Sequence, residues 1–255
     1  MHISKLMFPA LLLFLVLANL VLYSGVFQGE GAVNLASRAA PTAPGAGVSA
    51  ESAPTPAPRT ASAAELAAER AERDQSDRLP GRWVPSQGRQ HTEQYPLPHH
   101  IPFCAQDEVS TDCYASNPPT SGLHLPVQGT VLLEGGHRLR IPPDPGIYDF
   151  AIPREAIPHL EEHAGVYLGY RCESDSCNTT VERVKDLVDQ EISLGARVVM
   201  SPDPDLDPDT IALASWTRVD SFGAADYSDD RVRRFIKAHS CRFDPEWFCK
   251  VPAIN

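Results

Sequence analysis

The sequence predicts an α+β fold: a single compact domain with a small mixed or antiparallel sheet and two main helices, preceded by an N-terminal membrane helix and a disordered linker. Three observations carry this. Beyond residue 79, segments with the two-residue apolar period of strands alternate with segments of helical period. All six cysteines of the 255-residue chain fall in that same region. The first 78 residues divide into one long apolar run and a stretch poor in large apolar side chains, neither of which builds a core.

Residues 1–27 read as a transmembrane signal-anchor. Leu6 to Phe27 is an apolar run broken only by Pro9, Ala18-Asn19 and Ser24-Gly25. A spanning helix needs about 20 residues, and a cleavable signal core is shorter. Lys5 stands before the run and Glu30 after it. The expected location is therefore the inner or cytoplasmic membrane, crossed once, with the C-terminal domain periplasmic or extracellular. Residues 28–78 form a linker dominated at first by Ala, Pro, Ser, Thr and Gly. Ala63 to Arg78 is rich in helix formers but offers Leu66 alone as a large apolar residue, so a short, solvated helix is expected there.

The folded domain is assigned to residues 79–255, opening on Leu79-Pro80-Gly81. Trp83 to Phe103, rich in His, Gln and Pro and without a period, is expected to lie extended across the domain surface. Thr130–Leu133 and Arg138–Ile141 flank Glu134-Gly135-Gly136-His137, a hairpin pattern with a glycine turn. Val166–Tyr170 reads as a strand. Thr180–Leu194 reads as a helix, with Val181, Val184, Leu187, Val188 and Ile192 on one side. Thr179 and Glu182 have the spacing of a capping box, and Gly195 stops the helix. Arg197–Met200 and Ile211–Val219 read as strands. Ser228 caps a last helix whose inner face is Val232, Phe235 and Ile236.

The six cysteines fall into local couples: Cys104 with Cys113, Cys172 with Cys177, and Cys241 with Cys249. An even number beyond an export signal points to three disulfides in an oxidising compartment. The net charge of −11 excludes a surface built to neutralise phosphates, so no nucleic-acid partner is expected; the membrane is the expected partner.

Chemistry concentrates in two clusters. Asn117-Pro118-Pro119-Thr120-Ser121-Gly122-Leu123-His124 is stiffened by proline and freed at Gly122. His159-Leu160-Glu161-Glu162-His163 sets two imidazoles four residues apart, on one face of a helical turn. Three histidines on two rigid segments suit copper or zinc, and Met200 is the one methionine outside the anchor. The candidate ligands are His124, His159, His163 and Met200, supported from behind by Glu162, Asn117 and Ser121. The string His159-x-x-Glu162-His163 also matches the zinc signature of inverted zinc peptidases. Pro158 and Gly165 leave no room for the long helix that signature needs. Asn178-Thr179-Thr180 fits a glycosylation acceptor but sits where a helix cap is wanted. Asp203-Pro204-Asp205-Leu206-Asp207-Pro208-Asp209 lacks the glycine and terminal Glu of a calcium loop and reads as a solvated acidic loop.

Asn117-Pro118-Pro119-Thr120-Ser121-Gly122-x-His124, His159-x-x-Glu162-His163-x-Gly165-Val166, Val198-Val199 with Pro202, and Ala212-x-Ala214-x-Trp216 together resemble the DUF3105 family of bacterial exported or membrane-anchored domains. The likeness covers roughly Cys113 to Phe243. The family pattern commonly has Gly after the second histidine of the second motif and Pro before the histidine of the first. Here these are Ala164 and Leu123. The family carries no established activity, so the resemblance implies the place of a site and not its chemistry. The expected function is a membrane-anchored, outward-facing domain that binds a transition metal, more a binding protein than a catalyst. A structural or interaction module of an envelope complex, with the histidines as scaffold, and a zinc-dependent hydrolase are the alternatives.

Overall fold

The computed structural model describes residues 61–249, apart from 94, 106, 107, 109 and 127. The anchor expected over residues 1–27 lies outside the described residues, as does the linker up to residue 60. No helix among the described residues is long and apolar enough to cross a membrane.

The first element is helix α1 (Ala63–Arg73). Ser62 accepts from the Glu65 amide, and the Glu65 carboxylate accepts from the Ser62 amide, the reciprocal capping box. The helix is not free in solvent. Ala68 is buried and packs with Trp216 and Phe243, whose rings stack with centroids 4.5 Å apart. Trp216 Nε1 donates to the Glu72 carboxylate at 3.2 Å. The last turn of a helix leaves carbonyls without intrahelical donors, and here arginine guanidinium groups fill the need. Arg242 donates to Ala71 O at 2.6 Å, and Arg218 to O of the C-cap residue Asp74 at 2.7 Å. The packed region therefore reaches back beyond Leu79 to α1. Alanine-rich helices dock by close approach to flat aromatic surfaces, so a large apolar stripe is not required.

The remaining elements follow in order: β1 (Arg82–Trp83), β2 (Gly129–Leu132), β3 (Arg138–Ile141), β4 (Gly146–Ile147), α2 (Ile157–Glu162), β5 (Val166–Arg171), α3 (Asp175–Ser193), β6 (Val198–Pro202), β7 (Thr210–Ser215), β8 (Arg218–Gly223) and α4 (Asp229–His239). An open mixed sheet has the order β1-β8-β7-β5-β6-β4, and β2 and β3 pair separately as the expected hairpin. β5, β6 and β4 run parallel; the other pairs are antiparallel. Parallel neighbours need a crossover, and α3 supplies the one between β5 and β6. The fold is α+β as expected, with a larger sheet and four α-helices among the described residues.

Both faces of the sheet are covered, so its central strands are continuously apolar. On one face Val166, Leu168 and Met200 meet Val184 and Val188 of α3 and Phe235 and Ile236 of α4. On the other, Tyr167, Val199 and Ala214 meet Ile157 and Leu160 of α2, Leu139 and Ile141 of the hairpin, and Leu125. Strand alternation thus sends Val199 and Met200 to opposite faces.

Two boundaries differ from the sequence reading. Ile211–Val219 is not one strand but the β7–β8 hairpin, which reverses at Trp216-Thr217 with Thr217 at φ 63°. No glycine or asparagine marks this turn. It is held instead by the Thr217 amide donating to Thr120 O at 2.9 Å. Helix α3 begins at Asp175, capped by Ser174 Oγ, which accepts from the Cys177 amide at 3.2 Å. Thr179 is inside the helix and donates to Asp175 O, so Asn178-Thr179-Thr180 is not the cap. Asp209 fixes the earlier start by accepting from the Glu173 and Ser174 amides. The three disulfides pair as expected, Cys104–Cys113, Cys172–Cys177 and Cys241–Cys249.

His239 closes α4 in a fully buried place, with Nε2 2.9 Å from Pro80 O and Nδ1 without a partner. Burial, helped by the charges of Arg242 and Arg218, lowers its pKa to about 3. The unfolded chain binds a proton there below about pH 6.5 that the folded chain refuses. Stability therefore falls as pH drops from about 6.5 towards 3, by up to about 1.4 kcal/mol per pH unit from this group. His239→Gln, which keeps a donor for Pro80 O, is expected to flatten that slope by close to one proton. Denaturant melts of metal-free protein between pH 7 and 4 measure it; an unchanged slope would contradict the assignment.

Candidate functional site

The site forms where the loop carrying His124 meets α2. The loop is held by its own polar residues. Asn117 Nδ2 donates to Asp205 O at 2.6 Å, Ser121 Oγ accepts from the Gln87 amide at 3.0 Å, and Tyr114 donates to Leu123 O at 2.5 Å. Asn117 and Ser121 thus fix the backbone, and neither bonds a histidine ring. The extended segment before it adds a one-residue parallel bridge: the His124 amide donates to Gln90 O, and the Thr92 amide to His124 O. This bridge brings His91 beside His124.

All six residues of α2 are buried, and His163 is its C-cap. The helix ends with Ala164 at φ 68°, a conformation glycine adopts without strain, in keeping with the Gly common at that place in the family pattern. Gly165 then lets the chain pass tightly into β5: a Cβ there would lie 2.4 Å from Leu160 Cδ1. Helix, cap and strand together set His159 and His163 a turn apart against the sheet.

His124 Nδ1 lies 2.7 Å from Gly122 O, and His159 Nδ1 lies 2.6 Å from Leu125 O. A carbonyl only accepts, so both Nδ1 atoms carry hydrogen. In the neutral ring each Nε2 is then a lone pair. Both Nε2 atoms are buried; that of His159 makes no hydrogen bond, and that of His124 faces the Glu162 carboxylate. One ligating nitrogen from each of His91, His124 and His159 lies within 4.8 Å of the others. Ring centroids are 4.5 Å apart for His91–His124 and 5.0 Å for His124–His159.

Glu162 Oε2 stands 3.0 Å from His124 Nε2, an ion pair whenever that ring is protonated, and Arg89 lies 3.7 Å from the other carboxylate oxygen. Burial pushes the Glu162 carboxyl up, but His124, Arg89 and His163 outweigh it and hold it below the ordinary glutamate value. Burial, with the neighbouring imidazoles, lowers His159 to about 4 and His163 to about 3. These two rings are neutral at physiological pH, the form that ligates metals.

His163 sits at the edge of the group. Its ring is 4.7 Å from that of His159; Nδ1 is buried without a partner, and Nε2 is 3.5 Å from Glu246. Phe248 packs on it at 4.1 Å in the loop tied by Cys241–Cys249. Met200 is not with the histidines: its side chain belongs to the cluster under α3 and α4, on the opposite face of the sheet. The Cys104, Glu108, Cys113 grouping offers no thiolates, because its sulfurs are joined.

The sequence reading missed His91. It is one histidine of several in a segment without period, and only the bridge to His124 singles it out. The donor set is therefore three imidazoles with a carboxylate beside them. A ligating histidine normally donates its other N–H to a carbonyl or carboxylate, which fixes the tautomer. His124 and His159 are held that way.

A family model described as "Protein of unknown function (DUF3105)" matches residues 105–247, more than half of the chain. No curated protein and no solved structure matches.

Proposed function

The chain belongs to the family described as protein of unknown function, DUF3105, and we propose that this member binds one divalent transition-metal ion, copper or zinc, through His124, His159 and His91. A single observation carries the reading. Two buried imidazoles have Nδ1–H fixed on backbone carbonyls, and one ring nitrogen of each lies within 4.8 Å of the other and of a third imidazole, with the Glu162 carboxylate beside His124 Nε2. Leaving several buried acceptors unpaired costs about 1–3 kcal/mol each, and a cation satisfies them together. Nitrogen and oxygen donors without sulfur suit divalent copper or zinc better than monovalent copper. Glu162 completes the site, either as an oxygen ligand or as the base for a bound water. A zinc hydrolase, the second reading, rests on that carboxylate alone.

In the same proposal the N-terminal apolar run anchors the domain on the outer side of a membrane. The run's length, Lys5 before it and three disulfides in the domain support this placement. The test is the metal content of the full-length chain, purified from membranes without a metal-affinity tag. Close to one copper or zinc per chain is expected, and none in the folded His124→Ala, His159→Ala double variant. Metal-free protein that stays so after loading and dialysis would overturn the reading.

A further inference from the structure

Next to the histidine group, but separated from it by Leu125 and the start of α2, an open cleft of about 800 Å³ runs between the hairpin, the 95–103 segment and the Asp203–Asp205 loop. That is within the range of small-molecule sites. Its walls are Tyr95, Phe103, Phe150 and Ile152, and its polar groups lie towards Asn117 and Asp203.

We propose that this cleft binds a small organic cation, a primary amine carried on an aromatic or apolar body. The first ground is which polar groups remain unspent. Asn117 gives its Nδ2 to Asp205 O, and its Oδ1 is a buried acceptor with no partner. Asp203 is buried beside it in the lining, where it accepts from Tyr167 Oη at 3.3 Å and from the Asp205 amide at 3.1 Å. Each carboxylate oxygen has room for a second donor. Asp203 reaches this place because Gly169 has no side chain: a Cβ there would be 2.9 Å from its Oδ2. Both groups ask for a donor.

The second ground is charge. Four carboxylates line the cleft, Glu134, Glu155, Asp203 and Asp205, against Arg154. That arginine is spent: it pairs with Asp205 at 2.5 Å and lies over the Phe103 ring at 4.5 Å. Glu155 is also occupied, by the Ile101 amide and His100. Burial raises the proton affinity of the Asp203 carboxyl, the consequence of lacking a full counter-charge, and an ammonium supplies that charge. The third ground is the wall: Tyr95 and Phe150 line it with aromatic surface that covers an apolar body, Phe150 with one face stacked on His137.

The test compares three probes with one body and different heads: tyramine, its alcohol tyrosol, and 4-hydroxyphenylacetate. Binding is followed by calorimetry to the full-length chain in nanodiscs, stripped of metal with EDTA. Tyramine should bind at least about tenfold more tightly than tyrosol, a difference of one charged hydrogen-bonded contact, and the acid should not bind. Asp203→Asn should bring tyramine down to the level of tyrosol. Asn117→Ala should weaken it in the same direction, which keeps the test open if Asp203→Asn unfolds. Equal affinity for all three heads, no saturable tyramine binding, or tyramine binding indifferent to both cleft variants would overturn the proposal.

Discussion

Replacing His159 by alanine is expected to weaken copper or zinc binding by at least about a hundredfold. Loss of a partner that merely supports a ligand costs about 10–100-fold, and in the proposed site His159 is a ligand itself, with Nε2 buried and unpaired and one ring nitrogen within 4.8 Å of those of His91 and His124. His124→Ala should match it. His91→Ala should weaken binding while leaving the fold least disturbed, because His91 is exposed and the other two rings are fully buried. His163→Ala should cost less than His159→Ala, since its Nε2 faces Glu246 instead. Met200→Leu should leave metal affinity unchanged, because that side chain packs under α3 and α4. Competition titrations against a chelator of known affinity rank the five variants. A Met200→Leu loss equal to that of His159→Ala would contradict the geometry.

The largest effect on stability is expected at Trp216. Its side chain is fully buried, stacks on Phe243, and ties α1 through Nε1 to Glu72. Trp216→Ala should cost about 3–5 kcal/mol, the usual range for removing a large aromatic from a packed core. The loss should also be local in character. With the aromatic platform gone, α1 keeps the bonds from Arg242 and Arg218 to its last carbonyls but loses the surface on which Ala68 sits. Limited proteolysis should then cut within residues 63–81 under conditions where the parent is protected, while the hairpin β2–β3 stays intact. Equal protection of α1 in variant and parent would show that the helix is held by the arginines alone.

Local signals carried much of the fold. The β2–β3 hairpin follows from its glycine turn, α4 from Ser228 and an apolar face at helical spacing, and the disulfides from three close couples of cysteines. Non-local signals were harder to see. The turn between β7 and β8 contains no turn-forming residue, because Thr120 and the half-buried Arg242 hold it from outside. The start of α3 is set by Asp209, 35 residues downstream of Ser174 in sequence. Docking of α1 depends on Trp216 and Phe243, far along the chain, and its own alanines give no hint of it.

The same division applies to the site. His124, His159 and Glu162 stand out by motif, and the fold brings them to one place. Asn117 and Ser121 prove to brace the loop. Met200 is separated from the site by strand alternation, which a lone residue in a continuously apolar strand does not reveal. His91 joins through one backbone bridge, for which a single sequence offers no period to read.

The most direct measurement is X-ray absorption at the metal edge of the copper- or zinc-loaded full-length chain. Coordination by His91, His124 and His159 predicts a first shell of nitrogen and oxygen at about 2.0–2.1 Å, with the outer-shell scattering of about three imidazoles and no sulfur. A sulfur shell near 2.3 Å, or a first shell without imidazole scattering, would contradict the account.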